Sequence, residues 1–171
     1  MNESGVKTHT EFVLPFRVVS RADVSRLVSE VEWVDNELTA AAVRVKTGAE
    51  QPVGPAMSDQ LNDFLNQNEL KLDDSRVRSE LIKQLRLLKE HAPIIHMTFA
   101  VPADRESLQQ LAEYVRTSIH PQAIIAVGLQ PALVAGVYLR TPNHVHDLSL
   151  RTVLAGRRDA LVKELDTLRV K

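Results

Sequence analysis

The residues best suited to chemistry lie close together near the C-terminal end: His144, His146, Asp147 and Ser149. Alternate residues of a strand point to the same side, so the two imidazoles can reach one metal ion. A metal site needs further ligands and a supporting shell, and the spacing supplies neither. A polar hairpin beside a turn explains the same residues, and a metal-dependent enzyme using His144 and His146 is kept as the third of three functional hypotheses.

Ser149, His146 and Asp147 also contain the residue types of a hydrolase triad. The segment has no nucleophile elbow of the Gly-x-Ser-x-Gly type, and triads are normally assembled from distant segments. Ser149 stands immediately before a helical pattern, where a hydroxyl caps free N–H groups. We therefore expect Asp147 and Ser149 to close a strand-to-helix junction by accepting hydrogen bonds from N–H groups in 150–152.

Two glycines, Gly128 and Gly136, punctuate the apolar segment that precedes this junction. Their spacing matches neither a dinucleotide-binding fingerprint nor a P-loop. A glycine inside a strand more often marks a bulge or a close backbone approach. We predict no catalytic, cofactor-binding or metal site, and no cofactor.

The composition narrows the class of protein further. The 171 residues are 44% hydrophobic but only 4% aromatic, with 21 basic residues against 22 acidic ones and no cysteine. Disulfides and thiol chemistry are excluded, and the near-neutral charge argues against a nucleic-acid partner. Without a signal sequence or a membrane span, we expect a cytoplasmic protein that reaches a membrane only through a complex, with no direct insertion.

The N-terminal half predicts an extended arm and a long helix. The apolar segment 11–19 is interrupted by Pro15, which favours an edge strand or an arm. Ser20, with Asp23 in the position of a capping-box acid, begins a helix of roughly 25 residues. The helix carries one apolar stripe at heptad spacing, which either packs on its own domain or binds a partner helix. The stripe is Val24, Leu27, Val31, Val34, Leu38, Ala41 and Val45.

Two more helices follow the Gly- and Pro-rich linker 47–55. Ser58 is predicted to cap a short second helix, and Asp74 or Ser75 begins a third helix that ends before Pro93. The first and third helices have similar stripes, which favours an antiparallel hairpin.

After Pro93 the spacing of apolar residues changes from the helical period to short apolar runs, and the remaining segments predict a small β-α-β-β-α sheet domain. Strands are expected in 94–101, 123–129 and 133–140, with a short fourth strand at Val145. A helix capped by Asp104 separates the first two strands, and one last helix runs from about 150 to 168. The fold class is α+β, with residues 1–92 as a helical region and 93–171 as the α/β domain.

The segment from Gln130 to about Leu168 resembles the C-terminal signature of the delta subunit of F-type ATP synthases, the oligomycin-sensitivity-conferring protein of mitochondria. That signature has an Asp-Pro start, paired glycines, a strand with a basic residue, a turn and a capped, Leu-rich last helix. The matching positions are Pro131, Leu133, Val134, Gly136, Val137, Arg140, Asp147, Ser149, Leu150, Arg151 and Leu154. A peripheral-stalk protein of the V-type ATPases has a similarly organised C-terminal part.

The resemblance implies a non-catalytic role, because members of that family join the peripheral stalk to the catalytic head of a rotary ATP synthase. It gives Pro131, Gly136, Arg140, Asp147, Ser149 and Arg151 a structural role in the signature. It also implies stalk helices and head subunits as protein partners. The helical half departs from the family, since about three helices stand where the family has six. The partner-binding candidates on the first helix are Val24, Leu27, Val31, Trp33, Val34 and Leu38.

A second hypothesis belongs to a different functional class. The chain can be a free-standing α/β adaptor or regulatory protein that forms a homodimer through its N-terminal helices. Sedimentation of the isolated protein separates this hypothesis from the first.

Overall fold

The computed structural model describes residues 6–46, 54–141 and 143–169, without the side chains of residues 159, 161 and 167–169. It confirms the α+β class, with N-terminal helices followed by a four-stranded mixed sheet and interspersed helices. Most of the predicted linker 47–55 lies outside the described residues. Within the described ranges, every helix is too short or too polar to span a bilayer.

The elements follow one another in the predicted order. The helices are α1 Arg21–Lys46, α2 Asp59–Asn68, α3 Ser75–His91, α4 Arg105–Ser118, α5 Leu150–Gly156 and α6 Arg158–Arg169. The strands are β1 Ile94–Phe99, β2 Ile124–Leu129, β3 Gly136–Arg140 and β4 Val145–Ser149.

Two compact units divide the chain. The first contains the described residues up to Pro93 together with 108–124, and the second contains 94–107 and 125 onward. The second unit thus leaves most of α4 to the first, so the units alternate along the sequence. The predicted boundary at residue 92 stays a prediction.

In the first unit, the extended arm 6–19 is held mainly by side chains instead of a strand ladder. Asn68 binds both backbone groups of Val13, accepting from its N–H at 2.8 Å and donating to its carbonyl at 2.9 Å. Gln122 donates to the carbonyl of Phe12 at 3.0 Å. The Phe12 ring meets Phe64 of α2 edge-on, with the ring centroids 5.3 Å apart. These bonds satisfy arm backbone groups that have no neighbouring strand.

Arg116 of α4 fastens the end of the same arm. Its guanidinium donates to the carbonyls of Leu14 at 3.2 Å and Pro15 at 2.9 Å, and also to that of Val18. Burial lowers the pKa of Arg116 to about 10, and the nearby Asp23 carboxylate opposes this shift. A desolvated cation is costly to bury, and the carbonyl dipoles around it offset that cost.

The helix starts follow the predicted caps. The Ser20 N–H donates to the Asp23 carboxylate at 2.9 Å, and the Asp23 N–H returns a longer bond to the Ser20 hydroxyl at 3.4 Å. Ser58 accepts from the Leu61 N–H at the start of α2, and Asp74 accepts from the Arg76 N–H at the start of α3.

α1 and α3 pack together as an antiparallel pair. Arg78 near the start of α3 donates to Asp35 at 2.6 Å, whereas Arg86 further along α3 donates to Glu32, earlier in α1, at 2.6 Å. The buried apolar residues of α1 are Val24, Leu27, Val28, Val31 and Val34. Those of α3 are Leu81, Leu85 and Leu88.

The sheet of the second unit has the strand order β2-β1-β3-β4. Strand β3 runs antiparallel to both of its neighbours, with Met97 opposite Leu139 and Leu139 opposite His146. Strand β4 therefore forms one edge of the sheet, and only its last residue, Ser149, is buried.

Two predicted elements have different bounds in the structure. The strand expected from residue 133 begins only at Gly136, because the preceding residues Pro131–Leu133 form a 3-10 turn. The single last helix predicted from about 150 to 168 is divided into α5 and α6. The Arg157 N–H donates back to the Leu154 carbonyl at 3.1 Å, and α5 ends there. Gly156 immediately before that break has low helix propensity, which favours an end there.

Candidate docking surfaces

The predicted partner-binding stripe of α1 is divided between core and surface. Val24, Leu27, Val31 and Val34 are at most 1% exposed, so they offer no surface to a partner. For these four residues, the stripe packs on its own domain and does not bind a partner helix. The two remaining candidates stay accessible, because Trp33 is 45% exposed and Leu38 is half-buried.

Two cavities lie along the accessible end of α1, both within the first unit. One of about 540 Å³ is lined by Trp33, Leu38, Val45 and Pro55, among others. The other, of about 480 Å³, shares Leu38 and Pro55 with it and extends to Leu65 of α2. The walls of the first cavity are largely apolar, as in surfaces that receive side chains of another protein. The second cavity is more polar, with Asn62 and Asp73 in its lining.

Gly136 is the signature residue with the clearest structural requirement. Its φ is +94°, a conformation that L residues rarely adopt. A Cβ atom at this position would lie 2.4 Å from the Leu148 carbonyl oxygen and 2.9 Å from the Ser149 Cα. Strand β4 therefore approaches so closely that only glycine fits. Ala135, where the family signature has its first glycine, has no such positive φ.

The residues before Gly136 form a strained turn. Val134 has φ 65° and ψ −55°, and the Ala135 N–H donates across it to the Leu133 carbonyl at 2.7 Å. This is the geometry of a γ-turn, which is rare and strained for a β-branched residue. Pro131 opens the preceding 3-10 turn, where its missing N–H and fixed φ suit a first helical position.

Asp147 and Ser149 close the junction between β4 and α5, as expected, but with partly different bonds. Ser149 is the N-cap of α5, and its hydroxyl accepts from the Thr152 N–H at 3.4 Å. Asp147 binds the Ser149 N–H at 2.9 Å and the Thr152 hydroxyl at 2.7 Å, so it reaches no N–H within 150–152. These bonds from Ser149 and Thr152 hold the pKa of the Asp147 carboxyl below its usual range, with help from Arg151.

The histidines of the same hairpin do not assemble a metal centre with other described residues. The His144 and His146 rings lie 6.2 Å apart between centroids. Among residues 6–46, 54–141 and 143–169, no group of three or more His, Asp or Glu side chains is arranged to hold an ion.

One row of side chains on the sheet of the second unit is apolar and opens toward its β4 edge. Phe99, Val137 and Leu148 face one another across β1, β3 and β4. Phe99 and Val137 are half-buried, whereas Leu148 at the edge is 59% exposed. An apolar row that is uncovered at one end is typical of a protein-binding surface.

Helix α5 continues the exposed apolar surface in sequence. Leu150, Val153 and Leu154 share one helix face and are all exposed. The segment around them in the sequence is basic, and Asp147 is the only acid between residues 130 and 158. The basic residues of that segment are Arg140, Arg151, Arg157 and Arg158, all exposed.

Sequence reasoning did not find the polar residues that hold the arm: Asn68, Arg116 and Gln122, and also Gln84, which accepts from the His9 N–H at 2.8 Å. A weak signal was present, since an apolar segment interrupted by Pro15 must satisfy its backbone without a regular ladder. The partners come from three distant segments, and their identity depends on tertiary packing.

No protein-family model matches this chain, and a search of curated proteins finds no significant match.

Proposed function

We propose that this protein is a non-catalytic peripheral-stalk component of a rotary ATP synthase, related to the delta subunit, which links stalk helices to the catalytic head. The observation that carries the proposal is Gly136. The family signature has a glycine at this position, and here the backbone has φ +94° with the Leu148 carbonyl directly against it. A glycine that this close approach requires, at the position where the signature has a glycine, supports the proposal on structural grounds.

The open apolar row supplies a docking surface of the kind that a stator needs. A stator subunit must resist torque through protein contacts, and helices bind well in apolar grooves. Leu148 and the α5 residues Val153 and Leu154 offer apolar surface, and Arg151 of α5 is an exposed basic residue beside them in the sequence. A stalk helix with an apolar face and acidic flanks is the complementary partner.

The helical unit supplies stiffness. α1 has 26 residues, so it is roughly 39 Å long at 1.5 Å per residue. Two ion pairs, Arg78–Asp35 and Arg86–Glu32, join it to α3 at 2.6 Å each. A long helix packed against a second helix over part of its length resists bending better than an isolated helix of the same length.

The test is co-purification of the tagged full-length chain from detergent-solubilised membranes of its native cells, with mass spectrometry of the recovered proteins. Stalk and head subunits of an ATP synthase should be recovered with the wild type. Leu148→Asp should lose the stalk subunits, because a charge at the open end of the row opposes docking. Val101→Asp is the matched control, since Val101 is 66% exposed in the same unit but outside the row.

Recovery of the wild type without any stalk or head subunit would count against the proposal. Equal losses for Leu148→Asp and Val101→Asp would remove the row as the docking surface. Circular dichroism of both variants checks that their folds are intact.

A further inference from the structure

Two histidines from distant segments lie side by side at the surface of the first unit. His9 begins a 3-10 turn of the arm, His9–Glu11, which packs against α3, and His91 is the last residue of α3. Their ring centroids are 5.6 Å apart, and the ring planes are tilted by 43°. His9 is half-buried and His91 is exposed, so ions from solvent can reach the pair.

Hydrogen bonds define which nitrogen of each neutral ring carries the proton. His91 Nδ1 lies 2.9 Å from the Leu87 carbonyl oxygen, which can only accept, so Nδ1 is the donor. His9 Nδ1 lies 3.3 Å from Gln84 Oε1. That oxygen also accepts from the His9 N–H at 2.8 Å, while the Gln84 amide nitrogen donates to Glu80 at 2.7 Å. The amide orientation is thereby fixed, and His9 Nδ1 donates as well.

Both neutral rings therefore keep an unprotonated Nε2, the form that binds metal ions. Metal-binding histidines donate their other N–H to an oxygen acceptor, which orients the ring and increases its basicity. Leu87 and Gln84 supply such oxygens. Two imidazoles on one tetrahedral Zn²⁺, with metal–nitrogen bonds of about 2.1 Å, have ring centroids roughly 5.3 Å apart. The observed separation of 5.6 Å is close to that value.

A second histidine pair, in the β3–β4 hairpin, fits an ion less well. The His144 and His146 centroids are 6.2 Å apart. With the same bond length, one ion between those rings would need an angle of about 145° between its two nitrogens, instead of the tetrahedral angle of about 109°. The corresponding angle for His9 and His91 is about 120°. The hairpin pair therefore serves as an internal comparison.

We propose that His9 and His91 form a two-histidine site for a divalent transition-metal ion such as Zn²⁺, which ties the arm to the end of α3. Imidazole nitrogen suits Zn²⁺, Ni²⁺ and Cu²⁺. Among the residues that the structure describes, no group of three or more His, Asp or Glu side chains can hold an ion, so water completes the coordination. Binding is therefore weaker than at closed four-ligand sites.

The proposal departs from the prediction of no metal site, which rested on local spacing, because these two residues are distant in sequence. It goes beyond the proposed stator function and does not depend on it. Its consequence is local: an occupied site adds a second attachment for the arm beside the hydrogen bond from the His9 N–H to Gln84.

The first experiment is calorimetric titration of the untagged full-length protein with Zn²⁺ at neutral pH. The wild type should bind one ion at the pair. His9→Ala and His91→Ala should each weaken that binding at least tenfold, because each removes one of the two protein ligands. Lowering the pH to about 5.5 should also weaken it, since protons compete for the same nitrogens.

The matched control is the double variant His144→Ala/His146→Ala, which removes the other histidine pair and should leave the affinity unchanged. A wild type that binds no Zn²⁺ at millimolar concentration would overturn the proposal. So would binding that depends on only one of His9 and His91, or binding that is lost in the hairpin variant instead.

The second experiment follows the histidine side chains by ¹⁵N NMR. Before Zn²⁺ is added, both neutral rings should carry their proton on Nδ1, and Zn²⁺ should then shift the Nε2 resonances of both. The ion should also slow amide hydrogen exchange of residues 9–11 in the wild type but not in His91→Ala. A proton on Nε2 of either ring, a shift confined to one ring, or unchanged exchange in the arm would contradict the proposal.

Discussion

Asn68 pairs with Val13 through both backbone groups of that residue, as a neighbouring strand would. The two bonds, at 2.8 and 2.9 Å, join a buried side chain of α2 to the extended arm. Asn68 also donates to the Phe64 carbonyl at 2.8 Å within its own helix. A single amide thus fixes the arm at the point where its alternating apolar residues enter the core.

Replacing Asn68 by Ala should lower the free energy of unfolding by about 2–3 kcal/mol, because it leaves the N–H and carbonyl of Val13 without their partner. Urea unfolding followed by circular dichroism measures the change. Asn66→Ala is the matched control, since Asn66 is exposed on the same helix and should change stability by less than about 0.5 kcal/mol. Equal effects of the two substitutions would show that the arm does not depend on Asn68.

Substitution by alanine should change the free energy of unfolding in opposite directions at Gly136 and Gly156. Gly136→Ala introduces a Cβ 2.4 Å from the Leu148 carbonyl at positive φ, so unfolding should become easier by about 3 kcal/mol. Gly156 is the last residue of α5, and a Cβ there meets no atom within 4 Å. Gly156→Ala should therefore stabilise the protein by up to about 1 kcal/mol through helix propensity. Thermal unfolding of both variants tests the contrast, and a harmless Gly136→Ala would contradict the close approach of β4.

Asp147 should titrate below the ordinary aspartate range. Its pKa is lowered by hydrogen bonds from Ser149 and Thr152, whereas the unfolded value is about 3.9. The ionised carboxylate therefore stabilises the fold above the unfolded pKa, and this contribution is lost as the pH falls through the folded pKa. Carboxyl ¹³C chemical shifts across the acid range measure the midpoint. Thr152→Val should raise it toward the ordinary value, and an unchanged midpoint in that variant would exclude the Thr152 bond as a cause.

Local signals predicted the starts of helices well because capping is a property of a few adjacent residues. Ser20, Ser58, Asp74 and Asp104 all begin or cap the helices expected of them, with Asp104 accepting from the Ser107 N–H at 2.8 Å. The change of period after Pro93 likewise located the start of β1 at Ile94.

Features set by distant partners could not be predicted in the same way. The heptad stripe of α1 is continuous in the sequence, but it is buried only through Val34, and only tertiary packing decides where that burial ends. The turn at Pro131 and the γ-turn at Val134 move the start of β3 to Gly136, although the apolar residues before it are typical of a strand. The bonds of the arm to Asn68 and Arg116 join residues far apart in sequence, which no local pattern encodes.

The most direct test of the proposed stator role is coupling in membranes from cells that lack this protein. ATP hydrolysis should continue in such membranes while ATP-driven proton pumping is lost, because the head turns without a fixed stalk. Adding the purified wild-type chain should restore pumping, Val101→Asp should restore it equally, and Leu148→Asp should not. Membranes that pump normally without the protein would contradict a stator role.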